Sequence, residues 1–454
     1  MSRTFHLDVD DVLKLVRASL EVGNQAHAIA VLQALRPADQ AEVFSELRGA
    51  EQADLLPALA PSDSAAILEE LQDEEAAELA ESLSDADLVR IVEEMAPDEA
   101  ADLLGDLPDE RAETILSNIE DPDEVRPLLM HADESAGGLM TTDFLVLRTR
   151  MRVREALDAV RRMAPSESAE TLYNLYVVDD SNALRGVVNL YRLLQADPAT
   201  RVSEVMDRDV LMTRAEEDRE AAARLMTRYD LLSLPVVDAD ARLLGIITHD
   251  DFVETVEEET TEDIQRLGGS APLPGPYLDQ SVWAVARKRV GWLLLLFLTG
   301  TLTGTVLRLF SAELDTVVAL AFFVPLLIGT GGNAGSQTTA TIIRAIATGD
   351  VRLRDGLSVL WHELRVGLLL GLAMALFGIG RALLWDTGFH VGMAVGVSLL
   401  LVVTWANVVG SLLPMLATRF RFDPAMVSGP LMSTLVDATG LLIYLTVAKL
   451  ILDL

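Results

Sequence analysis

The sequence has no cysteine, and its 36 Lys and Arg are outnumbered by 70 Asp and Glu, so the net charge is −34 over 454 residues. The absence of cysteine excludes disulfide frameworks, thiol nucleophiles and cysteine-ligated zinc. The shortage of basic residues argues against nucleic acid as a partner, because binding phosphates requires a basic surface. The first residues contain no apolar run typical of a signal peptide, so we expect no cleaved leader.

The acidic excess and the apolar residues lie in different parts of the chain. The mean hydropathy is +0.29, which is high for so acidic a protein. Residues 281–454 contain 12 Lys and Arg and 9 Asp and Glu, whereas residues 1–280 contain 24 and 61. The net charge is therefore +3 in the second part and −37 in the first. This division excludes a single globular domain and predicts a multidomain membrane protein.

Five segments in the second part are long and apolar enough to cross a bilayer, which needs about 20 mostly apolar residues. They are Val290–Phe310, Val317–Ile343, Val366–Trp385, Val391–Thr418 and Ala425–Ala448. We therefore predict an all-α transmembrane domain of five helices within residues 281–454. We expect it to contact membrane lipid on its outer faces.

Apart from Lys449 at the far end of the fifth span, the basic residues that flank these predicted spans lie on one side. They are Arg287, Lys288, Arg289, Arg344, Arg352, Arg354, Arg419 and Arg421. The opposite loops, Ser311–Thr316 and Asp386–His390, contain no Lys or Arg. Because basic loops stay in the cytoplasm, we predict a multi-pass protein of the plasma membrane with a cytoplasmic acidic half and a C-terminus outside.

The second span contains a run of glycines and polar side chains, Pro325–Thr339, that is unusual for a helix facing lipid. The glycines are 329, 331, 332 and 335, and the polar residues include Asn333, Ser336, Gln337 and Thr338. Close helix packing explains the glycines. Packing alone does not need amides, however, so Asn333 favours a stretch that lines a pore beside water.

Asp437 lies in the middle of the fifth span, where a carboxylate is costly unless it faces a partner or water. The second, fourth and fifth spans offer no Lys, Arg or His at comparable depth, which disfavours a structural ion pair. A protonated structural Asp437 is an alternative to a cation site, which we favour. Asn407 is a second polar candidate near this depth. Asp423 can add charge at the inner mouth or cap the helix that begins at Pro424.

Residues 1–130 contain a repeated pattern with 32 acidic and 8 basic residues. Its copies begin at Pro37, Pro61, Pro97 and Pro108, with weaker ones near Gly49, Gln72 and Ser84. Each copy opens with Pro or Ser plus Asp and continues with Leu or Ile at helical spacing. We predict an α-helical, solenoid-like N domain of short amphipathic helices.

Residues 131–256 contain two similar strand-rich units and resemble a tandem CBS pair, an α/β regulatory domain. The first unit contains Gly138–Thr141 and a helix from Val153 to Met163, and the second contains a helix from Asp218 to Tyr229. CBS pairs often bind adenine nucleotides through a Gly-x-x-Thr/Ser-x-x-Asp run. The second unit keeps this run at Gly245–Asp251. The first has Asn189 and Arg192 instead, so ATP binding stays open.

Residues 250–263 are dense in acid and lie between the CBS pair and the spans. They contain Asp250, Asp251, Glu254, Glu257, Glu258, Glu259, Glu262 and Asp263. We predict a connecting, or plug, helix to Gly268 and a hinge at Pro272, Pro274, Gly275 and Pro276, together residues 257–280. A solvated helix face is the alternative, but the position suits a lever.

This order of domains, with the runs Gly329–Gln337, Asp423-Pro424 and Asp437–Gly440, resembles the MgtE-type magnesium transporter family over nearly the whole chain. The resemblance implies a homodimer with one pore between two membrane domains. It implies pore metal ligands at Asp437 and Asp423, to which the polar run of the second span adds Asn333 as a candidate. It also implies regulatory metal ligands at Asp98, Asp102, Asp218, Glu220, Asp230, Asp251, Glu254, Glu259, Glu262 and Asp263.

The expected function is therefore Mg²⁺ uptake with closure by cytoplasmic Mg²⁺, which makes Mg²⁺ both the transported and the regulatory ion. A hydrated ion needs a wide polar pore, and the absence of His or Cys beside Asp437 disfavours softer metals. The alternatives are a transporter for Co²⁺, Ni²⁺ or Mn²⁺, a CBS-regulated channel for another ion, and a membrane sensor without transport. No nucleophile–base constellation suggests an enzyme.

Overall fold

The structure is a computed structural model that describes residues 9–162, 173–273, 277, 280–426 and 429–454. The chain divides into two compact units, Met1–Glu258 and Glu259–Leu454. Each unit has apolar clusters of its own, built around residues such as Phe44 in the first and Phe323 in the second.

Ten short helices follow one another at the start of the first unit. They are α1 Val9–Glu21, α2 Gln25–Leu32, α3 Pro37–Ser45, α4 Gly49–Leu55, α5 Pro61–Glu69, α6 Asp73–Ser82, α7 Asp85–Val92, α8 Pro97–Gly105, α9 Asp109–Leu116 and α10 Pro122–Val125. Helices α3 to α9 begin at, or one residue after, the start of a predicted repeat. The predicted helical N domain is therefore confirmed.

Alternate helices of this domain pack against each other, α3 on α5 and α4 on α6, and so on to α9. Proline at the first helical position costs no hydrogen bond there, because that N–H has no partner in a helix anyway. The leucines and isoleucines of each repeat are buried, for example Ile67 and Leu104.

The rest of the first unit consists of two sheets with the same topology. Its elements are β1 Val146–Arg148, α11 Val153–Arg162, β2 Asn174–Val178, β3 Leu184–Asn189, α12 Leu190–Gln195, α13 Val202–Val205, β4 Thr213–Arg214, α14 Arg219–Tyr229, β5 Leu234–Val237 and β6 Leu243–Ile247. In each sheet the first strand is parallel and the third antiparallel to the middle strand. This repeat confirms the predicted pair of α/β units. Residue 163, the predicted end of the first helix, lies outside the described residues.

Each sheet is extended by a segment that precedes the other sheet in the chain. Thr141 exchanges backbone hydrogen bonds of 2.8 and 3.1 Å with Ile246 on β6, and Asp207 exchanges bonds of 2.7 and 2.9 Å with Val187 on β3. A glycine on each strand makes room for the crossing segment. A Cβ atom on Gly186 would lie 2.5 Å from the Asp207 carbonyl oxygen.

The second unit contains the spans. One helix, α15 His249–Leu267, reaches into it from the first unit, as predicted. The helices that follow are α16 Val282–Leu309, α17 Ser311–Thr316, α18 Ala319–Ala347, α19 Gly356–Leu384, α20 Phe389–Arg419 and α21 Gly429–Leu452. Pro274, Gly275 and Pro276 of the predicted hinge lie outside the described residues.

Among the described residues, five helices are long and apolar enough to cross a membrane, as predicted. Their ends differ from the predicted ones. Helix α16 begins at Val282 instead of Val290, and α19 begins at Gly356 instead of Val366. Both helices continue past the apolar stretch, because hydropathy marks where the bilayer core is and not where helical hydrogen bonding stops. Residues 311–316, predicted as a loop, form the short helix α17.

We predict that Gly186→Ala destabilises the paired sheets, because the new Cβ would collide with the backbone at Asp207. Overpacking of this kind costs about 1–3 kcal/mol. Thermal unfolding of the purified protein, followed by far-UV circular dichroism, should show a lower first midpoint. Gly49→Ala is the matched control, because its nearest neighbour would be 4.0 Å away. An unchanged midpoint for Gly186→Ala would contradict the close approach.

Candidate ion pathway and acidic cavity

Asp437 lies near the middle of α21, and its side chain faces α18. A Cβ atom on Gly332 would lie 3.3 Å from Asp437 Oδ1 and 2.5 Å from Ser433 Oγ. Asp437 Oδ1 is buried and has no hydrogen-bond partner within the part of the chain that the structure describes. A buried carboxylate oxygen without a partner is costly unless a cation, a proton or water reaches it. This environment suits a cation ligand. The role of Asp437 in ion transport stays a prediction.

The glycine-rich run of α18 presents two different faces. Gly331, Gly332 and Gly335 are buried, and a Cβ atom on Gly331 would lie 2.9 Å from a Val436 methyl group of α21. Asn333 is exposed on another side of α18, as is Gln337 one helical turn later. The glycines thus serve close helix packing, while the amides stay accessible. The two interpretations of this run apply to different faces of the same helix.

Asn407 lies inside the bundle of the single chain. It is 1% exposed, and its Oδ1 accepts a hydrogen bond from Thr338 Oγ1 of α18. A Cβ atom on Gly367 of α19 would lie 2.9 Å from Asn407 Nδ2. The side chain thus joins α18, α19 and α20. This position gives Asn407 a packing role and removes it from the exposed polar face.

Asp423 lies in the link between α20 and α21. Its Oδ2 accepts a 2.6 Å hydrogen bond from Arg266 Nη1 at the end of α15, and its Oδ1 accepts one of 2.8 Å from the Ala425 backbone. Arg266 also forms an ion pair with Glu262. Asp423 therefore carries out the capping role that the sequence offered as an alternative. At the same time its carboxylate has a cation beside it.

In the first unit, carboxylates surround a cavity of about 140 Å³. It is bordered by α5, α6, α8, the residues near Asp133 and the first half of α15. The acidic lining residues are Glu69, Asp73, Asp98, Glu99, Asp102, Asp106, Asp133, Asp251, Glu254 and Glu258, and Arg219 is the basic one. We call this feature the acidic cavity.

Local sequence explains why so many acids meet there. Asp98 and Asp102 are four residues apart on α8, and Glu254 and Glu258 have the same spacing on α15. Side chains with this spacing share one helix face. Asp73 opens α6, where a carboxylate is stabilised by the helix dipole. The repeat thus supplies acids from several helix starts to one side of the domain.

The charges of the acidic cavity are poorly compensated. Burial, together with the nearby Asp73 and Asp98, raises the pKa of Asp102 to about 7. Burial and the adjacent Asp98 raise the pKa of Glu99 to about 10. Burial and Asp98 also raise the pKa of Asp251. Asp98 Oδ1 is buried and lacks a hydrogen-bond partner among the described residues. The cavity therefore favours protons or cations.

Four of the ten predicted regulatory ligands meet at the acidic cavity: Asp98, Asp102, Asp251 and Glu254. Three others lie at the two ends of α14. Asp218 caps that helix through the Glu220 backbone N–H, Glu220 pairs with Arg224 at 3.0 Å, and Asp230 ends the helix with φ 51°. Within the single chain, Asp218, Glu220 and Asp230 therefore serve the ends of α14 or pair with a neighbour and do not reach the acidic cavity.

The remaining three predicted ligands, Glu259, Glu262 and Asp263, lie later on α15, in the second unit. Burial and the neighbouring Asp423 raise the pKa of Asp263, which the nearby Arg266 opposes. Asp263, Glu262 and Asp423 therefore form a second acidic group, which contains Arg266 as its cation.

Three acids of the cavity, Asp73, Glu99 and Asp133, were not among the residues singled out from the sequence, and Glu258 was named only as part of the acidic run. Asp73 and Glu99 stand at the start of repeat helices, and that shared position is the signal that could have identified them. Arg219 was also missed. It contacts Glu258 at 3.1 Å and Glu134 at 3.5 Å, and no sequence pattern distinguished it from other arginines.

Among the described residues, no group of three or more His, Asp or Glu is arranged to hold a metal ion directly. Mg²⁺ usually keeps several of its water ligands and uses only one or two carboxylates. The acidic cavity therefore fits a hydrated divalent cation better than a tightly coordinated one.

The CBS-type nucleotide run is used for internal contacts. Thr248 Oγ1 donates a hydrogen bond to Asp251, whose carboxylate lines the acidic cavity. In the first of the two CBS repeats, Asn189 caps α12 by accepting a 2.9 Å hydrogen bond from the Arg192 backbone. These contacts give no direct support for a ribose site.

Models of known families match most of the chain. The MgtE intracellular N domain matches residues 35–134, the CBS domain matches residues 136–199 and 202–258, and the MgtE divalent cation transporter domain matches residues 324–447.

Curated relatives agree with these matches. The chain is 47% identical over 330 residues to the magnesium transporter MgtE of Thermus thermophilus, which covers 73% of both chains. It is 33% identical over 331 residues to the magnesium transporter MgtE of Enterococcus faecalis, covering 73% of this chain and 72% of the relative.

Among solved structures, the cytosolic domain of the Mg²⁺ channel MgtE in complex with ATP is similar to this chain, and the match covers 54% of this chain and 99% of the solved one. The identity is 36% and the TM-score is 0.50. The family resemblance, the helical N domain, the CBS pair and the five spans predicted from the sequence are thus confirmed. The chain belongs to the MgtE family of divalent cation transporters, and it is a transporter and not an enzyme.

Proposed function

We propose that this protein is a Mg²⁺-selective, channel-like transporter of the plasma membrane, closed by Mg²⁺ that binds its cytoplasmic acids. The observation that carries this proposal is the acidic cavity, in which ten carboxylates face one arginine. The names of the Thermus and Enterococcus relatives, both magnesium transporters, support the choice of ion.

For the pore, we propose that Asp437 contacts the transported ion and that Asn333 lines the path. Asp437 has a buried oxygen without a partner in the described part of the chain, and Asn333 is an exposed amide on α18. Amides and a carboxylate suit an ion that keeps its waters. A divalent cation gains about 4.6 kcal/mol when it moves down 100 mV, twice the value for one charge. The membrane voltage can therefore drive uptake.

We propose a homodimer with the pore between the two copies. Two polar residues of α18, Asn333 and Gln337, are exposed on the single chain. Exposed amides at this depth are unfavourable beside lipid, and a second copy would enclose them around water. It would also bring a second Asp437 to the pathway. Helix α16 has no buried residue in the single chain, so it is available for contact with lipid or with the second copy.

For gating, we propose that repulsion among the cavity acids opens the channel when cytoplasmic Mg²⁺ is low. Mg²⁺ would bridge the carboxylates of α8 and α15 and draw the two helices together. Helix α15 is continuous from Glu254 at the acidic cavity to Arg266 beside Asp423. In this proposal a change at one end is passed along α15 towards Asp423. Several weak sites acting on one two-state element make the closure steep.

We propose that the cytoplasmic sites include the ten acids implied by the family resemblance. They are Asp98, Asp102, Asp251 and Glu254 at the acidic cavity, Glu259, Glu262 and Asp263 later on α15, and Asp218, Glu220 and Asp230 around α14. The last three would contribute between copies or in another conformation. We propose a cytoplasmic N-terminus and an outside C-terminus, since the basic residues flank the inner ends of the spans. ATP stays a candidate modulator, because the solved MgtE cytosolic domain contains it.

We predict that Asp437→Asn abolishes Mg²⁺ uptake, because it removes the charge that attracts the hydrated ion into the pore. Mg²⁺ flux into liposomes, measured with an internal Mg²⁺ indicator, tests this. Asp315→Asn is the matched control, since Asp315 is an exposed acid of the short helix α17, and it should leave the flux unchanged. Retained flux in Asp437→Asn would exclude Asp437 from the pore. Adding Co²⁺, Ni²⁺ or Mn²⁺ as competitors distinguishes a Mg²⁺ transporter from a broader divalent one.

We predict that, without divalent cations, the first unit is less stable at pH 8 than at pH 5.5. The folded pKa of Asp102 is about 7, above its ordinary value of about 4. The folded state therefore binds more protons, and its stability falls as pH rises between these values. Millimolar Mg²⁺ should restore the unfolding midpoint at pH 8 and change it less at pH 5.5.

The same experiment has matched variants. Asp102→Asn should reduce both the pH dependence and the Mg²⁺ effect, whereas Glu21→Gln, an exposed acid at the end of α1, should change neither. Equal midpoints at both pH values, with and without Mg²⁺, would refute a cation site in the acidic cavity.

We predict that Arg266→Gln shifts closure to higher internal Mg²⁺ by several-fold. The substitution removes the cation between Glu262 and Asp423, so these acids repel and the docked end of α15 is less stable. Flux into liposomes loaded with graded Mg²⁺ measures the shift. Arg266→Lys should close at an internal Mg²⁺ concentration between those of the wild type and of Arg266→Gln, because lysine keeps the charge but not the planar fork. Closure at the wild-type concentration in Arg266→Gln would show that this contact does not stabilise the closed state.

A further inference from the structure

Two side chains join α20 and α21 by a hydrogen bond close to Asp437. Trp405 Nε1 donates to Thr439 Oγ1 at 2.9 Å. The Thr439 hydroxyl in turn donates to the Leu435 carbonyl of its own helix at 2.8 Å. Trp405 is 40% exposed, so its indole is not held in place by packing on all sides. The hydrogen bond is therefore the directional contact of this ring.

Thr439 and Asp437 point away from each other on α21. Residues two apart on a helix are separated by about 200° around its axis. Accordingly, Thr439 meets Trp405 of α20, while Asp437 faces Gly332 of α18. A contact that fixes the rotation of α21 on the side of Thr439 therefore also fixes where Asp437 points on the other side.

Another hydrogen bond from α21, donated by the Tyr444 hydroxyl to the Leu320 carbonyl of α18 at 2.9 Å, lies about two turns beyond Asp437 and fixes a different level of the helix. At the level of Asp437, the neighbouring contact of α21 with α20 is not directional. At Gly440, the residue after Thr439, a Cβ atom would lie 3.0 Å from a methyl group of Val402 on α20, so this contact is apolar and close. Apolar surfaces of this kind resist separation but allow small rotations. A hydrogen bond between membrane helices is directional, and breaking it leaves the indole N–H without an acceptor in a medium that has little water.

We propose that Trp405 is a positioning residue for transport: its hydrogen bond to Thr439 fixes the rotation of α21 and thereby the direction in which Asp437 meets the ion. This inference rests on the proposed role of Asp437 in the pore. A rotation of α21 would move the carboxylate along the path of the ion, so the affinity for the ion and the discrimination between ions both depend on the bond.

The test compares Trp405→Phe, Thr439→Val and the double variant in liposome flux assays with Mg²⁺ and with Co²⁺. Phenylalanine keeps the ring but lacks the N–H, and valine keeps the shape of threonine but lacks the hydroxyl. Each single variant should raise the half-saturating Mg²⁺ concentration by about three- to tenfold, the range expected for one interhelical hydrogen bond. Each should also reduce the preference for Mg²⁺ over Co²⁺. The double variant should match the more affected single variant, because both remove the same bond.

Two control variants separate positioning from folding. Thr446→Val removes a hydroxyl on α21 that bonds only to its own helix, at Leu442, and Trp283→Phe changes an indole that is 79% exposed. Both should retain wild-type half-saturation. Wild-type half-saturation and ion preference in Trp405→Phe and Thr439→Val would overturn the inference. So would a fall in maximal flux alone, because that result indicates a purely structural bond.

The same assays distinguish this inference from the proposed function. If the wild-type protein conducts Mg²⁺ and Asp437→Asn does not, the pore assignment stands whatever the result at Trp405. If the wild-type protein conducts no divalent cation, both the proposed function and the role of Trp405 are refuted.

Discussion

Uncompensated negative charge in the acidic cavity is the constraint on which the first unit depends. Asp98 contributes a buried oxygen without a partner in the described part of the chain, and Asp102 and Glu99 have raised pKa values. One arginine, Arg219, cannot balance them. A fold that keeps such a cluster pays in stability unless protons or cations enter, so its stability is linked to the concentration of those ions. The proposed closure by cytoplasmic Mg²⁺ depends on this linkage.

The second unit, which contains the spans, differs from the first because it has few ionisable groups and close contacts between helices. Gly332 lets α18 approach α21 at the level of Asp437. The buried Asn407 accepts a hydrogen bond from Thr338 of α18 and packs beside Gly367 of α19. The link between α20 and α21 contains an ion pair, Asp423 with Arg266 of α15. The carboxylate of Asp423 thus has a cation of the chain beside it, whereas most carboxylates of the acidic cavity share the single Arg219.

Much of the fold could be predicted, because its signals are local. The starts of the N-domain helices follow from proline and serine at fixed intervals, and the spans follow from apolar length. The site was less predictable. Asp98 and Asp102 lie at the cavity, but Asp218 and Asp230 serve the ends of α14, since sequence does not tell which of many acids tertiary contacts bring together. Arg266 was missed as the partner of Asp423, because 157 positions separate them.

The exchange of segments between the two sheets has a mechanical consequence. Met140 packs at Gly245 of the second sheet and Met206 packs at Gly186 of the first, so each half is clasped by chain that leads into the other half. Sliding one half past the other would break both sets of backbone bonds together. The pair therefore resists internal shear, because the two sheets cannot slide past each other without losing both exchanged segments.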